Sequence, residues 1–550
     1  MDTNQVDDDY ELVMELSEKD NLFEKKKKLL EVKGFNPKGK VIIKNNCSVK
    51  LLNSVLEEMI QRARIIHSDE VDLYFGWIDA FQPVGFCSPR NELESLYSIL
   101  SLIDKSKSND QQIQPKALHD LRNATLDLIH KFGDNIKEDV KIIASRKLDK
   151  ENCLLQWGES NGVKSRLSIA YVEGAGRGAI ASEDLEVGDI ALEIPLSVII
   201  SEDLVHKTSM FPVLENVDGI SSETMLLLWS MKEKHDINSK FKIYFDSLPE
   251  TFNTGLSFGI EAIMALEGTL LLEEIVQAKE HLRSQYDDLI PCLCKNYPDL
   301  FPLELYTWDE FLWACELWYS NSMKIMCGDG KLKTCLVPIA GFLNHSISPH
   351  IMHYGRVDST TNSLKFPLVR PCKAGEQCYL TYGNLSSSHL ITFYGFIPKG
   401  DNPYNVIPLD FDLSEVDTTE DTCHSSNWST HMVRATWLSN NHGIFHYGLP
   451  TPLLEHLREA RGLFLQSNIT AQENLEIELE ILEDLQSTFD AMMQNLSETE
   501  PLVRENCDWD VKLALDYKDL QRQIISSIVN SCYAGRQLVE NDLQKCTTSG

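Results

Sequence analysis

The sequence predicts an α+β fold in which small strands form a discontinuous β unit, with a helical insertion inside it and helical regions at both ends. Apolar residues recur at helical spacing before residue 150 and after residue 410. Short β-branched runs separated by Gly-rich or Asp-rich turns occupy about 165–200 and return from about 334 to 383. Helical spacing between these stretches indicates that the insertion interrupts the β unit.

Length and composition indicate a globular chain of several domains. Its 550 residues exceed one ordinary core, and the apolar (43%) and charged (24%) fractions are those of folded proteins. We expect a helical extension over 1–150, the β unit over 151–410 with its insertion at about 221–326, and a helical domain over 411–550.

The N-terminal extension is predicted to be helical because Leu51, Leu52, Val55, Leu56 and Met59 fit one helix face. A second face follows between residues 93 and 103. The lysine run at 25–28 is typical of a solvated helix face. Residues 106–115 lack apolar anchors and indicate a surface loop.

The C-terminal region shows two long amphipathic patterns. The first face comprises Leu475, Leu479, Leu482, Leu485 and Phe489. The second comprises Tyr517, Leu520, Ile524 and Ile528. These faces predict two packed helices.

Charge and cysteine usage restrict partners and location. The formal charge of -32 disfavours binding to nucleic acid and favours a protein partner with a basic surface. The 14 scattered cysteines indicate reduced thiols, as in cytoplasm or nucleus. The first twenty residues are acidic, unlike a signal or transit peptide, and no apolar run reaches the roughly 18 residues of a membrane span, so we expect no membrane association.

Three short motifs combine glycine with polar or aromatic residues. The segment 173–178 reads EGAGRG, where glycines permit a tight turn and close backbone approach to a ligand. The segment 337–346 reads VPIAGFLNHS, an apolar run that ends in side chains able to donate and accept hydrogen bonds. Tyr382 and Tyr394 each precede a glycine. A glycine turn and core tyrosines are the structural alternatives.

Taken together and in order, these segments resemble the SET-domain methyltransferases, in particular the subgroup of the plant Rubisco large-subunit lysine methyltransferase. The resemblance covers most of residues 153–550 and leaves 1–150 uncovered. The segments that carry it are LLQWGESNGV, EGAGRGAIASEDLEVGDIALEIP, YFDSLPETFNTGLSF, FLWACELW, VPIAGFLNHS, GEQCYLTYG and ITFYGFIPKGDNPYNVIPL.

The resemblance implies protein-lysine N-methylation of a non-histone protein with S-adenosyl-L-methionine (SAM) as methyl donor, and no metal. It implies a tyrosine beside the transferred methyl group at Tyr394 and a channel-wall tyrosine at Tyr382. The residues that it implies for cofactor binding are Glu173, Gly174, Ala175, Gly176, Asn344, His345 and Tyr394. The helical C-terminal domain would bind the protein substrate.

Such a site has a physical rationale. A free lysine has a pKa of about 10.4, so a neutral amine at pH 7 costs about 4 to 5 kcal/mol unless an apolar channel lowers that pKa. Aromatic walls supply the burial, and restricting donor and acceptor to near-attack geometry lowers the barrier further.

Three positions depart from the subgroup's pattern. Gly341 stands where an Asp usually precedes the Asn-His pair, Asn321 where Arg is common, and Ser387 where Asn is common. The first concerns recognition of the acceptor, and the second concerns a contact to cofactor or substrate.

Alternatives from other functional classes remain open. Related enzymes methylate histidine on actin but lack a tyrosine at the position of Tyr394, so lysine is favoured here. A SET-fold binding module without transfer activity is motivated by the departures at Gly341 and Asn321. Metal-dependent hydrolysis, suggested by His345, His350 and His353, lacks a recognised ligand spacing. The resemblance also adds chloroplast to the possible locations.

Overall fold

The computed structural model describes residues 10–44, 47–76, 87–106, 116–135, 141–143, 147–409, 428, 430–435, 447–461, 470–496 and 507–549. The predicted loop at 106–115 lies, except for residue 106, outside these ranges. Two compact units divide the chain: a first unit of Met1–Leu128, Met264–Leu270 and Gly400–Gly550, and a second of Ile129–Ile263 and Leu271–Lys399. The predicted boundaries near 150 and 410 stay predictions.

Helices and short strands both occur, as predicted for an α+β fold. The helices are α1 (Phe23–Val32), α2 (Val49–His67), α3 (Glu70–Gly76), α4 (Pro89–Lys105), α5 (Lys116–Asn135), α6 (Asp149–Ser160), α7 (Glu202–Val205), α8 (Phe211–Leu214), α9 (Ser222–His235), α10 (Lys242–Ser247), α11 (Ile260–Ala265), α12 (Leu270–Asn296), α13 (Trp308–Asn321), α14 (Ser387–Tyr394), α15 (Thr451–Ala460), α16 (Ala471–Asn495) and α17 (Trp509–Ser549). The strands are β1 (Tyr10–Glu15), β2 (Lys38–Ile43), β3 (Lys164–Ser165), β4 (Leu167–Val172), β5 (Gly176–Ala181), β6 (Ile190–Pro195), β7 (Ser322–Met326), β8 (Leu332–Leu336), β9 (Val357–Asp358), β10 (Ser363–Pro367), β11 (Val406–Leu409) and β12 (His431–Arg434). Short 3-10 turns lie at Leu196–Val198, Gly255–Ser257 and Ala340–Phe342.

The second unit contains the discontinuous β material. Its largest sheet has the order β3-β6-β10-β9, and β6 and β10 are antiparallel with Ile194 opposite Leu364. Two-stranded pairs β4-β5 and β7-β8 accompany this sheet. Strand β6 precedes the helical insertion and β10 follows it, so the sheet is built from parts of the chain that are far apart in sequence. The predicted fold class, α+β with a discontinuous β unit, is confirmed.

The helical insertion was expected at about 221–326. Helices α9 to α13 lie within this range, and strand β7 (Ser322–Met326) forms its last five residues. Ser221 caps the N-terminus of helix α9, because its hydroxyl accepts from Thr224 N–H. The indole N–H of Trp318 donates to Ser230 Oγ at 2.8 Å, which satisfies both groups inside the core.

The first unit contains the chain's two ends. In α16 the predicted face is buried at Leu475, Leu482, Leu485 and Phe489, and the helix begins with a capping box at Thr470. One difference from expectation is the β1-β2 hairpin, because strands were not predicted before residue 150. Within the described part of the chain, no helix has the length and apolarity needed to cross a membrane.

Candidate active site

The glycine loop joins β4 to β5 in the second unit. Residues 173–176 are exposed, and Gly174 and Gly176 adopt φ of 75° and 69°. A Cβ on either glycine would meet no atom within 4 Å. Glycine is therefore needed for the backbone conformation rather than for lack of room, and the loop's main chain is open to a ligand.

The other two loop residues use their N–H groups within the protein. Glu173 N–H donates to Lys141 O at 2.9 Å and Ala175 N–H donates to Val172 O at 3.2 Å. The Glu173 carboxylate lies 3.2 Å from Lys141 Nζ in an exposed ion pair. These contacts hold the turn in place, and Gly176 pairs with Val172 where the β4-β5 ladder begins.

Arg177 anchors the end of this loop, which the sequence did not indicate. Its Nη1 lies 3.1 Å from Glu151 Oε1 of α6 and also donates to Ser247 O. The guanidinium lies 5.0 Å from the Phe342 ring centre. Since the Glu151 side chain is only 5% exposed, this ion pair is largely shielded from water.

Asn344 connects the glycine loop to the second motif. The side-chain Nδ2 of Asn344 donates to Arg177 O at 3.0 Å, and the main-chain carbonyl of Asn344 accepts from Leu380 N–H at 2.8 Å. A Cβ on Gly178, the third glycine of the motif, would lie 2.6 Å from Nε2 of the buried Gln377, so a larger residue there would have to displace that side chain.

His345 is held as a neutral ring with one defined proton. Its Nδ1 accepts from Tyr382 N–H at 3.1 Å, so the proton resides on Nε2. Burial lowers the pKa of His345 to about 4, which keeps the ring uncharged at pH 7. His345 is therefore an uncharged ring at pH 7, not a cation.

Tyr382 and Tyr394 stack with ring centroids 4.9 Å apart, and the His345 ring lies 5.2 Å from Tyr382. The Tyr382 hydroxyl donates to Leu343 O at 3.0 Å. Burial raises the pKa of both phenols. Over the part of the chain that the structure describes, the Tyr394 hydroxyl has no hydrogen-bond partner, so it is available to a ligand.

Helix α14 presents Tyr394 at its last position. Ser386 caps the helix by accepting from His389 N–H at 3.2 Å, whereas Ser387 is buried in the first turn. Gly395 ends the helix in the left-handed region, with φ of 75°.

The two departures at Gly341 and Asn321 lie face to face, which the sequence could not show. A Cβ on Gly341 would lie 3.0 Å from Asn321 Oδ1. Asn321 Nδ2 donates to Ser320 Oγ at 2.7 Å, which fixes the amide with its oxygen toward Gly341. The two substitutions are therefore structurally coupled.

The histidines proposed as an alternative metal set do not form a common cluster. Within the described ranges, the grouping with suitable spacing is His350, Cys372 and Cys378, whose candidate atoms lie within 4.8 Å of one another. His350 Nδ1 accepts from Tyr379 N–H at 3.0 Å, so Nε2 carries the proton. In this tautomer neither nitrogen has a lone pair left for a metal ion.

Two plant methyltransferases are similar in sequence to part of this chain. No family model matches the sequence. The chain is 28% identical over 272 residues to fructose-bisphosphate aldolase-lysine N-methyltransferase of Arabidopsis thaliana, a chloroplastic protein, covering 48% of this chain and 55% of that one. It is 28% identical over 275 residues to the chloroplastic Rubisco large subunit N-methyltransferase of Pisum sativum, covering 48% and 54%. The matched part thus spans about half the length of these relatives.

Among solved structures, the SET domain of LSMT bound to lysine and AdoHcy superposes with a TM-score of 0.52 at 21% identity. The superposition covers 71% of this chain and 92% of that one. The superposition shows that this chain has the SET-domain fold. Over about half of its length, its sequence is similar to those of the two plant N-methyltransferases.

Proposed function

We propose that this chain transfers a methyl group from SAM to a lysine side chain of a non-histone protein. The observation that carries the proposal is the connection of the glycine loop, through Asn344 and His345, to the stacked pair of Tyr382 and Tyr394. When bound, SAM supplies an electrophilic methyl group on a sulfonium.

The residues present fit such a donor. The loop at 173–176 offers open main chain, since nothing lies within 4 Å above either glycine. Asn344 fixes that loop, and the neutral His345 ring lies beside Tyr382. We assign cofactor binding to Glu173, Gly174, Ala175, Gly176, Asn344, His345 and Tyr394.

The two tyrosines have different parts in this proposal. Tyr382 uses its hydroxyl on Leu343 O and so contributes a fixed aromatic wall. Tyr394 keeps a free hydroxyl beside that wall, where it orients the acceptor nitrogen. An amine enclosed by aromatic rings loses hydration, which lowers its pKa and favours the neutral nucleophile.

The proposal extends to the protein substrate and its location. We infer that the helical region of 411–550 binds the substrate protein, and that the charge of -32 favours a basic surface on it. The described cysteines are free thiols, which supports a reducing compartment such as cytoplasm or nucleus. The alternative is chloroplast, the location in the names of the two plant relatives.

Methyl transfer from isotopically labelled SAM into cell extract tests the proposal, with Tyr394→Phe as the variant and Tyr297→Phe, an exposed tyrosine just after α12, as the control. We expect label on lysine, a loss of at least about tenfold in Tyr394→Phe, and no change in the control. Mass spectrometry locates the label. Label on histidine would show that the chain is a histidine methyltransferase. SAM binding without any label would show that it is a binding module. If SAM did not bind, the proposed cofactor site would be wrong.

A further inference from the structure

A buried carboxylate lies in the second unit outside the groups assigned above. Glu316 of α13 is 3% exposed. Its Oε1 accepts from Thr254 Oγ1 at 2.6 Å and from Ser257 Oγ at 2.6 Å. Burial raises the pKa of Glu316, and these two hydrogen bonds oppose that shift by favouring the carboxylate. Burying a carboxylate is energetically unfavourable, so we expect Glu316 to have a structural or functional role.

Both donors belong to one short segment, residues 253–258, which is called the 253–258 turn. A second helix holds the same turn, because Lys279 of α12 donates its Nζ to Leu256 O at 3.0 Å and to Phe258 O at 2.7 Å. The Glu316 carboxylate binds two side chains of the turn, and the Lys279 ammonium binds two of its main-chain carbonyls, so the turn has little freedom to move.

The 253–258 turn packs directly on the end of α14. A Cβ on Gly395 would overlap Asn253 O, and a Cβ on Gly255 would lie 2.8 Å from Thr392 Cα. Main chain therefore meets main chain, with a glycine on each side of the contact. Since backbone atoms cannot move aside as side chains do, the position of the turn sets the position of the last turn of α14.

We propose that Glu316 and Lys279 are positioning residues for Tyr394. They hold the 253–258 turn, the turn holds the C-terminal end of α14, and this end carries the Tyr394 phenol. The effect on methyl transfer rests on the proposed function, whereas the effect on the order of α14 does not. Small displacements of an orienting group reduce near-attack geometry and can cost as much as about 100-fold in rate.

The test compares Glu316→Gln with Glu310→Gln on the same helix. Glu310 pairs with Lys234 at 2.8 Å and with His235 at 3.3 Å on the partly exposed face of α13. Hydrogen exchange of residues 387–396, SAM affinity, KM and kcat are measured for each. We expect Glu316→Gln to speed exchange at the end of α14 and to lower kcat by at least about tenfold, with KM and SAM affinity within about twofold of wild type. Glu310→Gln should match wild type.

A milder variant keeps the test decisive if Glu316→Gln loosens the whole second unit. Ser257→Ala removes one donor and leaves Thr254 on the carboxylate. It should produce the same local change at 387–396 while β5 and β6 stay protected. Exchange at 387–396 equal to wild type in both variants would overturn the proposal. A wild type without transfer would refute the proposed function, and the exchange comparison would still decide the positioning role.

Discussion

Replacing Glu151 by leucine should destabilise the second unit through the charge that it leaves behind. The carboxylate lies 3.1 Å from Arg177 Nη1, with side chains 5% and 21% exposed. Removing one partner of a buried ion pair costs about 3 to 5 kcal/mol, because the other charge stays without its counter-ion. Arg177 keeps some access to water and a hydrogen bond to Ser247 O, so we expect the lower end, about 3 kcal/mol.

A second substitution distinguishes this cause from a general loss of packing. In Glu151→Leu combined with Arg177→Met, both charges are gone, and at least about 1 kcal/mol of the loss should return. Glu183→Gln is the control, since Glu183 forms a 2.6 Å ion pair with Arg166 in which it is 57% exposed. That variant should cost less than about 1 kcal/mol.

Urea unfolding followed by tryptophan fluorescence measures these differences. A single variant within about 1 kcal/mol of wild type would refute the assumption that the ion pair is effectively buried. A double variant whose losses simply add would show that packing around α6, and not the unpaired guanidinium, determines the effect.

Two further predictions concern the residues next to the site. Gly341→Asp alone should destabilise the chain, because its Cβ would lie 3.0 Å from Asn321 Oδ1. Adding Asn321→Ala should recover part of that loss, and thermal unfolding should show a coupling energy of about 0.5 to 3 kcal/mol between the two substitutions. Additive effects would contradict the contact. The second prediction concerns the pH dependence of the free energy of unfolding. The pKa of His345 is about 4 in the folded chain and about 6.5 in the unfolded chain, so below about pH 6.5 the unfolded chain binds the proton more readily. The free energy of unfolding should therefore be highest above about pH 6.5 and should fall as the pH falls toward 4. His345→Gln should flatten the stability profile in that window, and an unchanged slope would show that His345 is not held neutral.

The fold could be predicted in outline because its determinants are local. The spacing of Leu475, Leu482, Leu485 and Phe489 identifies the buried face of α16 directly. The β1-β2 hairpin was missed, although Leu12 and Met14 alternate with more exposed residues in β1. Six residues with two buried positions carry too little periodicity to separate a strand from its helical surroundings.

The proposed site residues follow from the resemblance, whereas only the structure shows how they are connected. Asn344 and Arg177 are 167 residues apart in sequence, and Glu316 and Thr254 are 62 apart. Spacing within a segment holds no information on such pairs. The tautomer of His345 likewise depends on the amide of Tyr382, which no property of the histidine itself reveals.

The pairing of β6 with β10 has a consequence for how the chain reaches this state during synthesis. Ser363 Oγ and Glu193, which meet across these strands, are 170 residues apart. The ribosome must therefore complete the whole insertion before β6 gains this neighbour, and until then one side of β6 presents unpaired main-chain groups. A closure over so long a segment is slow compared with formation of the β4-β5 hairpin. Nascent chains arrested before Ser363 should therefore be the species that chaperones hold and that aggregates first.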